Sequence, residues 1–300
     1  MKESFPMREN FCQPGILKPI PPCGRSLLFR LQPESDARSA LLRLRAGFEA
    51  AWGVVGIGAP LVQALAADIA GLRTFPALSG PACTVPSTQQ ALWIFLGGEE
   101  RGALFDRSER IKAWLGDAFL LESAVDTFLY AGGRDLTGYE DGTENPDADS
   151  SIDVALVADG QGLRGSSFVA VQTWAHDLPH FHDHTPQQRD LMIGRQQESN
   201  EELADAPASA HVKRSAQEDY EPPAFMLRRS MPWATAHEQG LEFIAYGHSL
   251  DAYERVLRRM LGLDDGIVDA LFTFSRPLSG GYYWCPPLAE GRLDLAALKL

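Results

Sequence analysis

The order of apolar and polar positions divides the chain into short buried segments separated by amphipathic ones. Ser26 to Leu31 is an apolar run that reads as a strand. Ser35 or Asp36 can cap the helix that follows, in which Ala40, Leu41, Leu44 and Phe48 recur at helical spacing. Val54 to Ile57 suggests a second strand and Leu92 to Leu96 a third, fully buried one. Ile111, Trp114 and Leu115 return to helical spacing within Asp106 to Leu115, and Ala124 to Tyr130 reads as another strand. Ala51 to Leu72 carries a single charge, Asp68, and invites a membrane-span reading with Arg73 as its flank. Gly53, Gly56, Gly58, Pro60 and Gly71 interrupt it, so a strand, a turn and a helix are preferred.

The pattern changes at Ala131 to Ser151, a Gly- and Asp-rich stretch long enough to be a functional loop or a linker. A domain boundary is placed at its start, dividing the chain into residues 1–135 and 136–300. Beyond it the rhythm returns. Ser167 to Trp174 alternates as a strand does, and Thr185 to Gly194 is helical with Pro186 in its first turn. Ala224 to Arg229 and Leu241 to Tyr246 are strands. Leu250, Tyr253, Leu257, Met260 and Leu261 line one helix face, and Tyr282 to Trp284 forms an aromatic strand. Two halves of matching content suggest a duplicated α+β unit, although no direct sequence repeat links them.

Composition narrows the function classes. Hydrophobic residues make up 45% of the 300 positions and charged residues 22%, which excludes a disordered chain, a collagen and a coiled coil. Lys and Arg number 27 against 40 Asp and Glu, a formal charge of −13, so phosphate backbones and anionic lipid are repelled. Neither nucleic acid nor membrane is an expected partner. Cys12, Cys23, Cys83 and Cys285 form no CxxC pair and read as reduced thiols in a cytosol. Met1 to Asn10 mixes charges of both signs without an apolar core behind them, so no signal peptide is expected.

Several residues are candidates for chemistry, each beside a plainer alternative. Asp141 sits in Gly138-Tyr139-Glu140-Asp141-Gly142, where the glycines permit a tight bend and close approach to a flat ligand. The alternative is an acidic surface turn. His180, His182 and His184 alternate like metal ligands on a strand, but Pro179 and the helical pattern after Thr185 favour a polar loop. His211 follows the small residues Pro207-Ala208-Ser209-Ala210, which leave space; alone, a histidine is more often structural. Arg228 and Arg229 interrupt an apolar strand, so one of them points inward and needs an anionic partner, of which an internal salt bridge is the plainer choice.

Taken together, Gly138-Tyr139-Glu140-Asp141-Gly142, Ala210-His211-Val212-Lys213-Arg214 and Leu227-Arg228-Arg229-Ser230-Met231-Pro232 resemble the dye-decolourising (DyP-type) haem peroxidases. Gln13-Pro14-Gly15-Ile16-Leu17, Pro86-Ser87-Thr88-Gln89, Gly165-Ser166-Ser167-Phe168-Val169 and Gly280-Gly281-Tyr282-Tyr283-Trp284 extend the resemblance over the whole chain. It is nearest to the cytoplasmic branch that includes the YfeX-like proteins. Two departures stand out. Ala210 occupies a position that is usually Ser. Asp269-Ala270-Leu271-Phe272-Thr273 replaces an Asp-Arg-Leu-Leu-Asp run, so if the run's second acid backs the proximal histidine, it is lost at Thr273.

The resemblance implies two ferredoxin-like halves with one haem b per subunit in the C-terminal half. It makes His211 the proximal iron ligand, Asp141 a distal acid–base and Arg228 a fixed positive charge for the peroxide. Ser230 would hold a distal water or the peroxide. Gly142, Thr143 and Glu144 would pass the haem edge, and Arg195 and Arg214 would pair with propionates or simply lie at the surface. The implied activity is oxidation of dyes and phenolic compounds by hydrogen peroxide through a ferryl-oxo intermediate. Bulky reductants would need relays, for which Tyr130, Tyr139, Trp174, Trp233, Tyr246 and Tyr283 are candidates. The rival readings are porphyrin processing of a deferrochelatase-like kind and a haem carrier. The resemblance also implies a homo-oligomer. Leu293, Leu295, Leu298 and Leu300 in the tail give a second motive for it, unless the tail folds on its own core. The tail lies close after the last strand for a cargo signal to an encapsulin shell.

Overall fold

The computed structural model describes residues 11–300, so the reading of Met1 to Asn10 lies outside the described residues. The first half runs β1 (Cys23–Leu31), α1 (Ala37–Gly47), β2 (Gly53–Gly58), α2 (Ala59–Ala64), β3 (Leu78–Ser79), β4 (Thr84–Val85), β5 (Leu92–Gly98), α3 (Arg101–Leu115) and β6 (Phe119–Phe128). The second half continues with α4 (Ala148–Ala155), β7 (Ser167–His176), α5 (Leu178–His182), α6 (Pro186–Ile193), α7 (His211–Ser215), β8 (Leu227–Arg228), β9 (Met231–Ala234) and β10 (Gln239–Gly247). It closes with α8 (Asp251–Met260), β11 (Ser275–Pro277), β12 (Gly281–Cys285), β13 (Leu288–Ala289) and β14 (Arg292–Leu293).

The mixture of helices with antiparallel strands is the expected α+β class. One ten-stranded sheet runs in the order β11-β7-β12-β2-β5-β1-β6-β9-β10-β8, and β7 also pairs with β10. That extra pairing closes β7, β12, β2, β5, β1, β6, β9 and β10 into a ring, with β8 and β11 outside it. The two halves therefore share backbone hydrogen bonding, at Tyr283↔Gly58 and Trp284↔Ile57 on one seam and Thr127↔Trp233 on the other.

Strand alternation explains why both faces of this sheet are apolar. Along β5, Trp93 and Phe95 join Val54, Val169, Val171, Tyr246 and Tyr283 in a cluster inside the ring. Leu92, Ile94 and Leu96 point the other way, into the core under the helices. Asp36 caps α1 through Ser39 N, and α6 begins with a capping box between Thr185 and Gln188 and Pro in its first turn. Gln13 anchors the N-terminal segment by three buried bonds, donating to Val55 O and Pro286 O and accepting from Val55 N.

Some sequence expectations need correction. Ala224 to Arg229 is extended as a strand only at Leu227–Arg228, because Ala224 and Met226 bond to Gln217 instead of to a neighbouring strand. His180 and His182 sit on the short helix α5, which Asp177 caps through His180 N. The tail does not offer its leucines outward: Leu293, Leu295 and Leu298 are buried in the core, and Arg45 Nε donates to Leu293 O. Among the described residues no helix is long and apolar enough to cross a membrane. Cys12, Cys23, Cys83 and Cys285 form no disulfide with one another.

Candidate active site

A cavity lies on the outer face of the ring. Strand parity places Gln172, Trp174 and His176 of β7 and Leu241 and Phe243 of β10 along its floor, opposite the residues that fill the ring. Helix α8 covers it with Tyr253, Val256, Leu257 and Met260, the face its amphipathic spacing predicts. The empty space, open mouth included, amounts to about 980 Å³. It continues into a more polar cleft lined by Gly142, Thr143, Glu144, Arg195 and Lys213, and Asp141, His211 and Arg228 border both.

Local structure accounts for the position of each side chain. The loop after β6 turns back at Gly138 and Gly142, whose φ values of +87° and +71° lie in the left-handed region that glycine tolerates best. A Cβ on Gly142 would come within 2.8 Å of Asn145 Nδ2. Asn145 then behaves as a strand partner: its Oδ1 accepts from Arg228 N at 2.7 Å and its Nδ2 donates to Arg228 O at 3.1 Å. One amide side chain thus locks the Asp141 loop to the arginine strand. Gln217 adds a second tie, donating to Glu144 O and accepting from Met226 N.

Arg228 and Arg229 diverge as strand alternation requires. Arg229 reaches the carbonyls of Lys18 and Leu17 at 2.7 and 2.9 Å. Arg228 turns into the cavity, where its buried Nε has no hydrogen-bond partner. Among the described residues, the internal salt bridge that is the plainer choice for the inward arginine is not made. Its charge acts on Asp141, whose carboxyl is pushed above the usual carboxylate range. Burial is the chief cause, opposed by Arg228 and reinforced by Asp135.

His211 opens α7, behind Ala210, which is fully buried and packed close to the left-handed Gly194. Its Nδ1 lies 2.8 Å from Asp269 Oδ2. Asp269 is itself held: its carboxyl is fully buried and its Oδ1 accepts from Leu271 N. The acid behind the histidine is therefore Asp269, the first acid of the altered run, and Thr273 removes nothing from it. Burial alone would lower the His211 pKa, but the Asp269 charge and hydrogen bond outweigh that and raise it.

Two expected site residues lie elsewhere. Arg214 is buried against α8, with both terminal nitrogens on Asp265 at 2.7 Å and one also on Arg259 O, so it is not a free cation for a carboxylate ligand. Ser230 does not line the cavity; its Oγ accepts weakly from Ile244 N at 3.4 Å. Glu144 and Arg195 pair with each other at the cleft. Tyr139 and Trp174 reach the cavity wall, whereas Tyr246 and Tyr283 lie inside the ring, Trp233 donates to Trp174 O and Tyr130 is exposed. His180, His182 and His184 take part in no metal-holding group among the described residues. Sequence reasoning missed Asp135, Thr137, Asn145 and His176. The Asp-x-Thr spacing just before Gly138 was the available signal, since it is a turn motif in which Asp135 accepts from Thr137 N and Oγ1.

Comparison with known proteins bears directly on this arrangement. A family model described as Dyp-type peroxidase, C-terminal, matches residues 132–290. The chain belongs to the DyP-type peroxidases. A dye-decolorizing peroxidase of Mycobacterium tuberculosis is 30% identical over 76% of this chain and 75% of the relative. A dye-decolorizing protein from V. cholerae superposes with a TM-score of 0.85 at 27% identity, covering 95% of this chain and 98% of the other. A variant of DypB from Rhodococcus jostii RHA1 in complex with heme gives a TM-score of 0.84 at 28% identity, covering 91% and 95%. As a DyP-type peroxidase, the chain is an oxidoreductase that takes hydrogen peroxide as its acceptor.

Proposed function

We propose that the cavity holds haem b, one per subunit, with His211 as the iron ligand and Asp141 and Arg228 acting on peroxide at the opposite face. The observation that carries this reading is the His211–Asp269 pair at 2.8 Å. With Nδ1 held by a fully buried carboxylate, Nε2 is the ring nitrogen left to bind a metal, in the arrangement that makes imidazole a stronger ligand. The donor set fits haem in two further respects. The surrounding wall is mostly apolar, and Arg228 presents a buried donor that has no acceptor of its own.

Bound haem supplies the redox-active iron at which peroxide is reduced. The protein's part is proton handling and charge. Asp141, once deprotonated, takes the proton from one peroxide oxygen and returns it to the other as the O–O bond breaks. Arg228 stabilises the anion present between those transfers without changing its own protonation state. Asn145 keeps the two in register by holding the Arg228 backbone to the Asp141 loop. Thr143, Gly142 and the Glu144–Arg195 pair line the cleft where a haem edge would emerge, and Arg195 is the better placed of the two arginines for a propionate.

Two ferredoxin-like halves, 1–135 and 136–300, are part of the same proposal. The first half's β-α-β-β-α-β core, with sheet order β2-β5-β1-β6, supports it, as does the order β12-β7-β10-β9 in the second. Haem then belongs to the C-terminal half, since every residue lining the cavity except Asp135 lies within 136–300. Dyes and small phenols are the proposed reductants. A cytoplasmic location in the YfeX-like branch rests on the resemblance and on four cysteines that form no disulfide with one another, and homo-oligomerisation rests on the resemblance alone.

The test is titration of the purified protein with haemin, followed by three measurements on one sample: peroxide-dependent oxidation of a phenol, iron release, and haem transfer to a scavenger. Stoichiometric uptake with fast peroxide turnover supports the reading. Iron release without peroxide turnover would favour porphyrin processing, and haem loss without either would favour a carrier.

A further inference from the structure

A polar surface pocket lined by Asp177, His237, Glu238 and Arg276 lies against the back of the cavity. His176, Phe274 and Ser275 line both spaces and form the wall between them. Within that wall His176, only 4% exposed, has both ring nitrogens engaged. Nδ1 lies 2.7 Å from Ser275 Oγ, and Nε2 lies 3.1 Å from Asp135 Oδ1. The other oxygen of Asp135 accepts from Thr137 N at 2.9 Å and from Thr137 Oγ1 at 2.6 Å, so the carboxylate is fixed with one oxygen toward the imidazole. Asp135 also opens onto the cavity that Asp141 lines. From outside to inside the order is surface pocket, Ser275 hydroxyl, His176 ring, Asp135 carboxylate, cavity.

A histidine that merely fills a strand end needs one partner. This one joins a hydroxyl at a solvent-facing pocket to a carboxylate at a reaction cavity. We propose that Ser275, His176 and Asp135 form a proton entry route to the peroxide site, used when the reductant delivers electrons without protons. The balance of the reaction demands such a route. Reducing one hydrogen peroxide to two waters consumes two electrons and two protons. A phenol brings one of each, whereas a donor that loses only an electron leaves both protons to come from solvent.

The hydrogen-bond network assigns the starting form: Ser275 donates to Nδ1, and Nε2–H donates to Asp135. Nε2 gives its proton to the Asp135 carboxylate, which hands it on toward Asp141. Nδ1 takes the Ser275 hydroxyl proton, and water in the surface pocket restores Ser275. A swing of the ring toward the surface pocket lets water there take the Nδ1 proton and give one to Nε2, which restores the Nε2–H form before the second proton passes.

This proposal rests on the peroxidase reading, and its test separates the two. Ferrocyanide serves as the electron-only donor and guaiacol as the phenol that carries its own proton, with His176→Gln and Ser275→Ala as the variants. Haem uptake and guaiacol turnover in the unsubstituted protein check the underlying reading first. In haem-loaded His176→Gln the ratio of ferrocyanide to guaiacol turnover should fall at least about 10²-fold, the low end of what proton-transfer groups contribute. A second readout needs no turnover. In the full-length protein loaded with zinc protoporphyrin, Ser275→Ala should slow solvent exchange of the His176 ring proton seen by NMR. An unchanged donor ratio in a haem-retaining His176→Gln variant overturns the proposal and leaves His176 a structural role. A ring-proton exchange rate indifferent to Ser275→Ala overturns the entry path through the surface pocket.

Discussion

His211 and the Asp141–Arg228 pair, which border the same cavity, are held in opposite ways. His211 is fixed through a hydrogen bond to a fully buried Asp269. Arg228 keeps its backbone pinned by Asn145 while its buried Nε is left without a partner, and Asp141 next to it is burdened by burial rather than relieved by a salt bridge. On the proposed reading the difference corresponds to two tasks. A metal ligand gains from a fixed tautomer and direction, whereas groups that must meet a transient charge lose their value if they are already neutralised by protein.

The largest expected effect comes from removing the fixed side. His211→Ala should abolish stoichiometric haem binding, and full retention with an unchanged ferric Soret spectrum would sink the ligand assignment. Next is the unpaired side. Arg228→Leu should slow the reaction with peroxide about 10²- to 10³-fold in rapid mixing, the loss typical of one charge-stabilising donor. Asp141→Ala should cost less than that, and if both variants react at the unsubstituted rate the mechanism is wrong. The pH profile sharpens the same contrast. Asp141 must be ionised to act as a base, and its carboxyl sits above the ordinary range, so activity should fall on acidification at a pH above the usual Asp value of about 3.9. Because the Arg228 charge opposes that upward shift, Arg228→Leu should move the acid limb to higher pH; movement to lower pH would show that the two groups are not coupled.

Smaller effects probe the supports. Asp269→Asn keeps the shape but removes the charge behind His211, and should weaken haem binding about 10- to 100-fold, as loss of a ligand's hydrogen-bonding partner commonly does. Competition for haem against a protein of known affinity measures it. Asn145→Ala removes two backbone ties and should cost about 1–3 kcal/mol in denaturant unfolding, at roughly 0.5–1.5 kcal/mol per bond. A slower peroxide reaction in the same variant, at unchanged haem content, would show that Asn145 keeps Asp141 and Arg228 in register.

Local pattern and motif carried much of this protein. Alternation gave β7, short strand-like segments gave β5, β10 and β12, helical spacing gave α1 and α8, and the divergence of Arg228 and Arg229 followed from strand alternation alone. The order of the GYEDG, His and Arg segments was enough to suggest the family. These readings succeeded because each depends on neighbours within a few residues. Tertiary structure decided what depends on distant ones. The sheet closes only because β7 meets β10 on one edge and the two halves pair along β2 and β6, a matter of long-range register. The tail leucines are apolar in any setting, and only packing shows that Leu293, Leu295 and Leu298 are spent on the chain's own core. Arg214 follows His211 by three residues, yet a distant carboxylate, Asp265, claims its charge. Asp269 comes to His211 across 58 positions, and Asp135 to His176 across 41. No spacing rule links such pairs, because what brings them together is the meeting of loop, strand and helix ends around the cavity.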